Sequence, residues 1–299
     1  MIKFNLDFNL FNSNYYIYER LIVLLFSLVP AICLVLFVLY TDRKNKEPKK
    51  NIILCLLSGI LTVSLAAYFE ELVMPYFSNS YILTYVWAFI EEASKMAIFY
   101  LFIFDNKHYD DIYDGIVYMA LIALSFAGLE NIMYAFREST VAESISLSLM
   151  RDFTTIPLHV ICGVVIGHFL AKSTFSKDKI KKYKNIFYAF LISTLIHGTF
   201  NNMMSLLSNI NNNSQNPVMT LLFQSLPLIL IMISLFVIVY IFTKKTVFLN
   251  EMYYDNKYDD ENNYLMTNKE YLDSYIRKKR IKMNDKITFF SFNGSKGGK

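Results

Sequence analysis

Residues 80–104 read SYILTYVWAFIEEASKMAIFYLFIF, an apolar run with Glu91, Glu92 and Lys95 near its middle. As a helix rising 1.5 Å per residue it is long enough to cross a hydrocarbon core of about 30 Å. A helix is the expected form, because in lipid it satisfies its own backbone polar groups. Ionisable groups at that depth cost several kcal/mol unless they are paired or face water, so each is a functional hypothesis by default. Lys95 lies one turn beyond both glutamates, at i+4 from Glu91 and i+3 from Glu92. It can neutralise one of them and leave the other available for chemistry.

The rest of the chain repeats the apolar pattern. Its 299 residues are 55% hydrophobic and 18% charged, with a mean hydropathy of +0.34. That is too apolar for a typical soluble domain. Apolar runs at about 21–40, 52–69, 80–104, 113–136, 146–171, 185–208 and 218–242 predict an all-α, polytopic membrane bundle of about seven transmembrane helices. The links holding Arg43, Lys44, Lys46, Lys49 and Lys50, and Lys172, Lys177, Lys179, Lys181, Lys182 and Lys184, belong in the cytoplasm by the positive-inside rule. The link with Glu70 and Glu71 and the neutral, Asn-rich 209–217 belong outside. This pattern places the N-terminus out and the C-terminus in.

Three regions follow. Residues 1–20 form a short extracytoplasmic segment, 21–242 the membrane domain, and 243–299 a polar, basic cytoplasmic tail. The first run reads as a retained helix rather than a signal peptide, since no small-residue cleavage site follows it. In the tail, Thr267 and Glu270 have capping-box spacing ahead of Arg277 to Lys282. That stretch suits either water or anionic headgroups. Cys33, Cys55 and Cys162 fall inside apolar runs, without zinc-site spacing or a disulfide context, and read as small hydrophobes. The net charge of +4 lies mainly in loops, so it reports orientation and predicts no nucleic-acid partner.

Other spans carry polar residues at a similar depth. The fourth holds Glu130 and Asn131, with Phe126 one turn earlier; the fifth holds His159 after the kink-prone Pro157; the sixth holds His197 with Asn201 one turn on. Glu91, His159 and His197 each lie roughly 15 Å from the membrane edge where their helix begins. Any one of them could be a packing hydrogen bond, but their coincidence in depth argues for a shared site. His168, nine residues from His159, falls on the opposite face and reads as structural, while His108 is a loop residue. Asp111 and Asp114 suit a helix N-terminus through its dipole.

Two chemistries fit such a cluster. A carboxylate can activate water while His and Asn side chains donate to the oxyanion of an amide under attack. Alternatively, two His and one Glu form a hydrolytic zinc site, with a second Glu as base. Two rival functions use the same residues: a cation- or proton-coupled transporter, and a non-catalytic membrane scaffold.

The chain resembles the PrsW-type intramembrane proteases, relatives of the CAAX prenyl endopeptidases and bacterial immunity-type membrane proteases. Asp42 to Pro48 (DRKNKEP) looks like that family's first cytoplasmic loop. Glu91, Glu92 and Lys95 fit its EExxK motif, and Phe126, Glu130 and Asn131 its FxxxEN motif. Asp114 to Tyr118 (DGIVY), Pro157 with His159, and His197 with Asn201 follow in order, so the resemblance covers about residues 21–208. It implies a membrane-embedded peptidase, metallo- or glutamic-type, with Glu91, Glu92, Glu130, His159 and His197 catalytic. Lys95, Phe126, Asn131 and Asn201 would support them, and Glu130, His159 and His197 would bind a metal such as Zn2+ in the metal-dependent scheme. It also implies a bacterial plasma membrane, and a single-span regulatory protein as substrate, the best-known case being an anti-sigma factor cut on its extracytoplasmic side. Two departures stand out. The stretch Met119 to Ser125 has fewer small residues than expected, predicting looser packing. The CAAX relatives carry His where this chain has Glu130.

Overall fold

The computed structural model describes residues 15–42, 46–176 and 178–213, with scattered positions between 233 and 247. Within the described residues the elements are helical: α1 (Ile17–Thr41), α2 (Lys49–Val73), α3 (Ser80–Phe102), α4 (Ile112–Ala135), α5 (Val141–Phe153), α6 (Thr155–Thr174) and α7 (Lys179–Asn213). The expected seventh span at 218–242, the tail with its Thr267–Glu270 box and most of residues 1–20 lie almost wholly outside the described residues.

Local chemistry sets the helix starts. Asn79 accepts the Tyr81 and Ile82 N–H groups at the head of α3. Asp111 accepts those of Tyr113 and Asp114, while Asp114 reaches back to the Asp111 N–H. This capping box gives both acidic residues the helix-starting role predicted for them.

Four stretches are long and apolar enough to cross a membrane: Ile17–Thr41, Lys49–Tyr76, Ile112–Ala135 and Val141–Thr174. With large apolar side chains such as Leu21, Leu25, Phe37 and Leu57 exposed, they define a multi-pass membrane protein. The α3 helix holds three charges at mid-length, and α7 begins on a run of lysines.

The run 146–171 breaks beside its kink-prone Pro157: α5 and α6 meet at Thr154, whose φ of −123° and ψ of −67° interrupt the spiral. Pro157 is the physical reason: it offers no N–H to the preceding turn and its ring crowds the carbonyl there. Glu70 and Glu71 lie in the last turns of α2 rather than in a link, and Glu70 is buried.

The centre of the bundle is α4, and here the expected looseness is overturned. Val117 to Leu124 are each at most 1% exposed. The partner helices supply the missing small residues. Gly59 of α2 lies against Ile122 and Ser125, Gly163 of α6 against Met119 and Ala123, and Gly167 against Gly115. Close approach needs a small residue on only one side of each contact.

At the end of the bundle where α1 leads into α2, Asp42 and Glu47 are buried together, and the Tyr118 hydroxyl donates to Glu47. Burial raises the Asp42 carboxyl to about 7, and it also raises that of Glu47.

Candidate intramembrane active site

The polar residues of four helices meet in the interior. From α3, the Lys95 ammonium donates to Glu92 Oε1 at 2.8 Å and lies 3.8 Å from Glu91 Oε2. From α7, His197 Nδ1 lies 2.8 Å from the same Glu92 oxygen, and its Nε2 is 3.9 Å from Glu91 Oε2. From α6, His159 Nδ1 accepts from Lys95 at 3.0 Å, and its Nε2 meets Glu130 Oε2 of α4 at 3.1 Å. The two imidazole rings are 4.9 Å apart. Phe126 supports the group from α4, its ring 4.2 Å beneath the Lys95 ammonium and 5.1 Å from the His159 ring.

One atom from each of Glu91, Glu92, His159 and His197 falls within 4.8 Å of the others, all four residues being buried. Oε2 of each glutamate is enclosed without a hydrogen-bond partner. Buried carboxylate oxygens with spare lone pairs suit a cation. Imidazole and carboxylate are also donors that zinc accepts, so the residues fit a metal centre. His159 and His197 are shared with the ligand set expected from sequence; Glu92 and Glu91 join them here, whereas Glu130 is engaged with His159 and Arg151.

A cavity of about 530 Å³ opens onto this group, with Glu91, Glu130, His159 and His197 in its lining. Glu92 and Lys95 are fully buried and do not line it. Asn201 does line the cavity, while the ring nitrogens of its neighbour His197 face Glu92 and Glu91. His168 is buried on α6 with its ring against Phe169, outside the cluster. His108 lies in the link before α4, where its carbonyl accepts from Tyr118.

Sequence reasoning missed Arg151 and Glu70. Arg151, on α5, donates to Glu130 Oε2 at 2.8 Å and to Asn131 Oδ1 at 3.2 Å, and its guanidinium stands 4.2 Å from the centre of the Tyr134 ring. Asn131 in turn donates to Asp152 at 3.0 Å and to the Ser27 carbonyl at 3.1 Å. A signal was present: Arg151 and Asp152 are adjacent charges inside an apolar run, the same feature that marks Glu91 and Glu92. Glu70 lines the cavity from α2; a span drawn one residue longer would have included it.

Fold and site together define a multi-pass membrane protein with a cluster of Glu, His and Lys side chains buried between its helices. The sequence profile of the PrsW family intramembrane metalloprotease matches residues 47–241, well over half of the chain. The chain belongs to the PrsW family of intramembrane metalloproteases. Curated relatives agree. Protease PrsW of Clostridioides difficile (strain 630) is 29% identical over 187 residues, covering 60% of this chain and 78% of the relative. Protease PrsW of Bacillus subtilis (strain 168) is 26% identical over 186 residues, covering 61% and 83%. No solved structure matches.

Proposed function

We propose that this chain is an intramembrane metallopeptidase whose catalytic group is Glu91, Glu92, His159 and His197, with Glu130 beside it. The observation that carries the reading is the convergence of those four buried residues, ligand atoms within 4.8 Å, beside a cavity that Glu91, His159 and His197 line. His159, His197 and Glu92 would hold a zinc ion, which when bound polarises a carbonyl and acidifies water. Glu91 is the base, since it lines the cavity while Glu92 is held behind it by Lys95 and His197. Asn201, which lines the cavity, would donate to a substrate carbonyl.

The substrate is a single-span regulatory protein of the bilayer, of the anti-sigma-factor kind, cut on its extracytoplasmic side. The cavity supports this side, because its lining comes from the end of α2, the start of α3 and the end of α4, which the loop charges place outward. With the run at 218–242 this makes seven spans in a bacterial plasma membrane, N-terminus out, residues 21–242 carrying the protease and 243–299 a cytoplasmic tail.

The test is cleavage of a panel of single-span substrates by purified protein in lipid, with and without a zinc chelator. Glu91→Gln should abolish turnover with folded protein retained, and chelation should do the same to the wild type. Ion flux without any cleavage would instead select the transporter reading, and full activity in chelator would remove the metal.

A further inference from the structure

The hydrogen bonds around His159 fix its protonation pattern. Lys95 is an ammonium and can only donate, so the Nδ1 it contacts at 3.0 Å must be a lone pair. The proton of a neutral ring is then on Nε2, where it donates to Glu130 Oε2 at 3.1 Å. A carboxylate behind a histidine is the usual means of choosing which nitrogen faces the chemistry.

That same carboxylate oxygen is held from the other side by Arg151, 2.8 Å away. Arg151 is itself fixed on two further sides, by Asn131 Oδ1 at 3.2 Å and by the Tyr134 ring at 4.2 Å. A guanidinium is a rigid fork, so these three contacts locate the Glu130 oxygen as a single flexible ammonium could not. Its helix is pinned in turn to α1, with Ser148 to Ser27 at 2.8 Å, and to the residue preceding that helix's cap, with Ser144 to Tyr15 at 2.9 Å.

We infer that Arg151 is a positioning residue of the proteolytic centre: acting through Glu130, it holds the His159 ring in the orientation that presents Nδ1 to the Lys95, Glu91, Glu92 and His197 group. This rests on the reading of His159 as a member of the catalytic group. It also gives Asn131 a role, that of seating Arg151, and makes α5 part of the site, since Arg151 lines the cavity as well as holding Glu130.

The deciding measurement is the imidazole nitrogen NMR spectrum of metal-free protein in lipid nanodiscs. The chain has only four histidines, so each is assignable by a single replacement. The wild type should show His159 neutral with its proton on Nε2. Arg151→Gln should shift and broaden the His159 nitrogen signals, as the ring loses its fixed orientation, and leave those of His108 and His168 in place. An unchanged His159 overturns the inference, whether or not the protein cleaves anything. Should Arg151→Gln fail to fold, Arg151→Lys decides: a partial shift in the same direction supports the inference and a wild-type pattern overturns it.

The cleavage assay supplies a second arm. Arg151→Gln should lower kcat by about 10–100-fold, the range seen on losing such an outer partner, with KM nearly unchanged. Arg151→Lys should recover part of it. The Arg151→Gln, Glu130→Gln double variant should fall no lower than Glu130→Gln alone, because both changes break one relay. Fully additive losses would show that Arg151 acts elsewhere. Absence of wild-type cleavage would count against the peptidase reading, while the nitrogen NMR measurement still judges Arg151.

Discussion

Lys95 has no exposed surface and holds Glu92 at 2.8 Å with Glu91 a further ångström away. It can satisfy only one carboxylate closely, which is why the pair divides into a held Glu92 and a freer Glu91. Lys95→Met would leave Glu92 facing Glu91 with its ammonium partner gone. We expect a loss of about 3–5 kcal/mol, the usual consequence of removing one partner of a buried pair, read as a lowered unfolding midpoint in detergent. A variant as stable as the wild type would mean that the glutamates hold a proton between them instead.

Asp42 gives a pH prediction at the same scale. Its folded value of about 7 lies above the ordinary 3.8, because burial disfavours the charged form. The protonated acid therefore favours the folded state. Its contribution is complete below the unfolded value and is lost as pH rises from about 4 through 7. Asp42→Asn, which keeps a carbonyl for the Glu47 N–H now bonded at 3.2 Å, should stabilise the protein at pH 8 by about 1 kcal/mol. At pH 4 the gain should vanish. Unfolding at the two pH values measures the difference, and an equal gain at both would place the effect outside titration.

Among the elements, the packing of α4 on α6 is set by backbone proximity. A Cβ on Gly167 would run into the Gly115 carbonyl, and one on Gly163 would lie 2.8 Å from that of Met119. Gly167→Ala should therefore cost about 1–3 kcal/mol through forced separation of the helices. Since α4 carries Glu130 and α6 carries His159, cleavage should fall further than stability alone explains. Equal stability and activity to the wild type would show that the two helices separate freely. The break at Thr154 matters for the same reason: it lets α5 leave the α6 axis, lie along α1 and bring Arg151 to Glu130.

For the molecule as a whole, the proposed topology puts the turn after α4 outside and the turn after α6 inside. In a chain freed of its native cysteines, Ser139→Cys should react with an impermeant maleimide added to intact cells. Ser176→Cys should react only after the cells are opened. Labelling of both from one side would refute the arrangement on which the outward cavity depends.

Chain chemistry alone determined that this is a helical membrane protein, because runs of apolar residues long enough to cross lipid leave the backbone few other options. It also singled out Glu91, Glu92, Lys95, Glu130, His159 and His197, because charge at membrane depth is visible one residue at a time. What the sequence could not hold was the pairing among them. Which carboxylate Lys95 holds, which His159 nitrogen faces the cluster, and that Glu130 is engaged with Arg151 and His159 all depend on ångström-scale distances between different helices. Those distances are set by where glycines let the helices close and where Pro157 forces α5 and α6 apart, and only the packed tertiary structure fixes them.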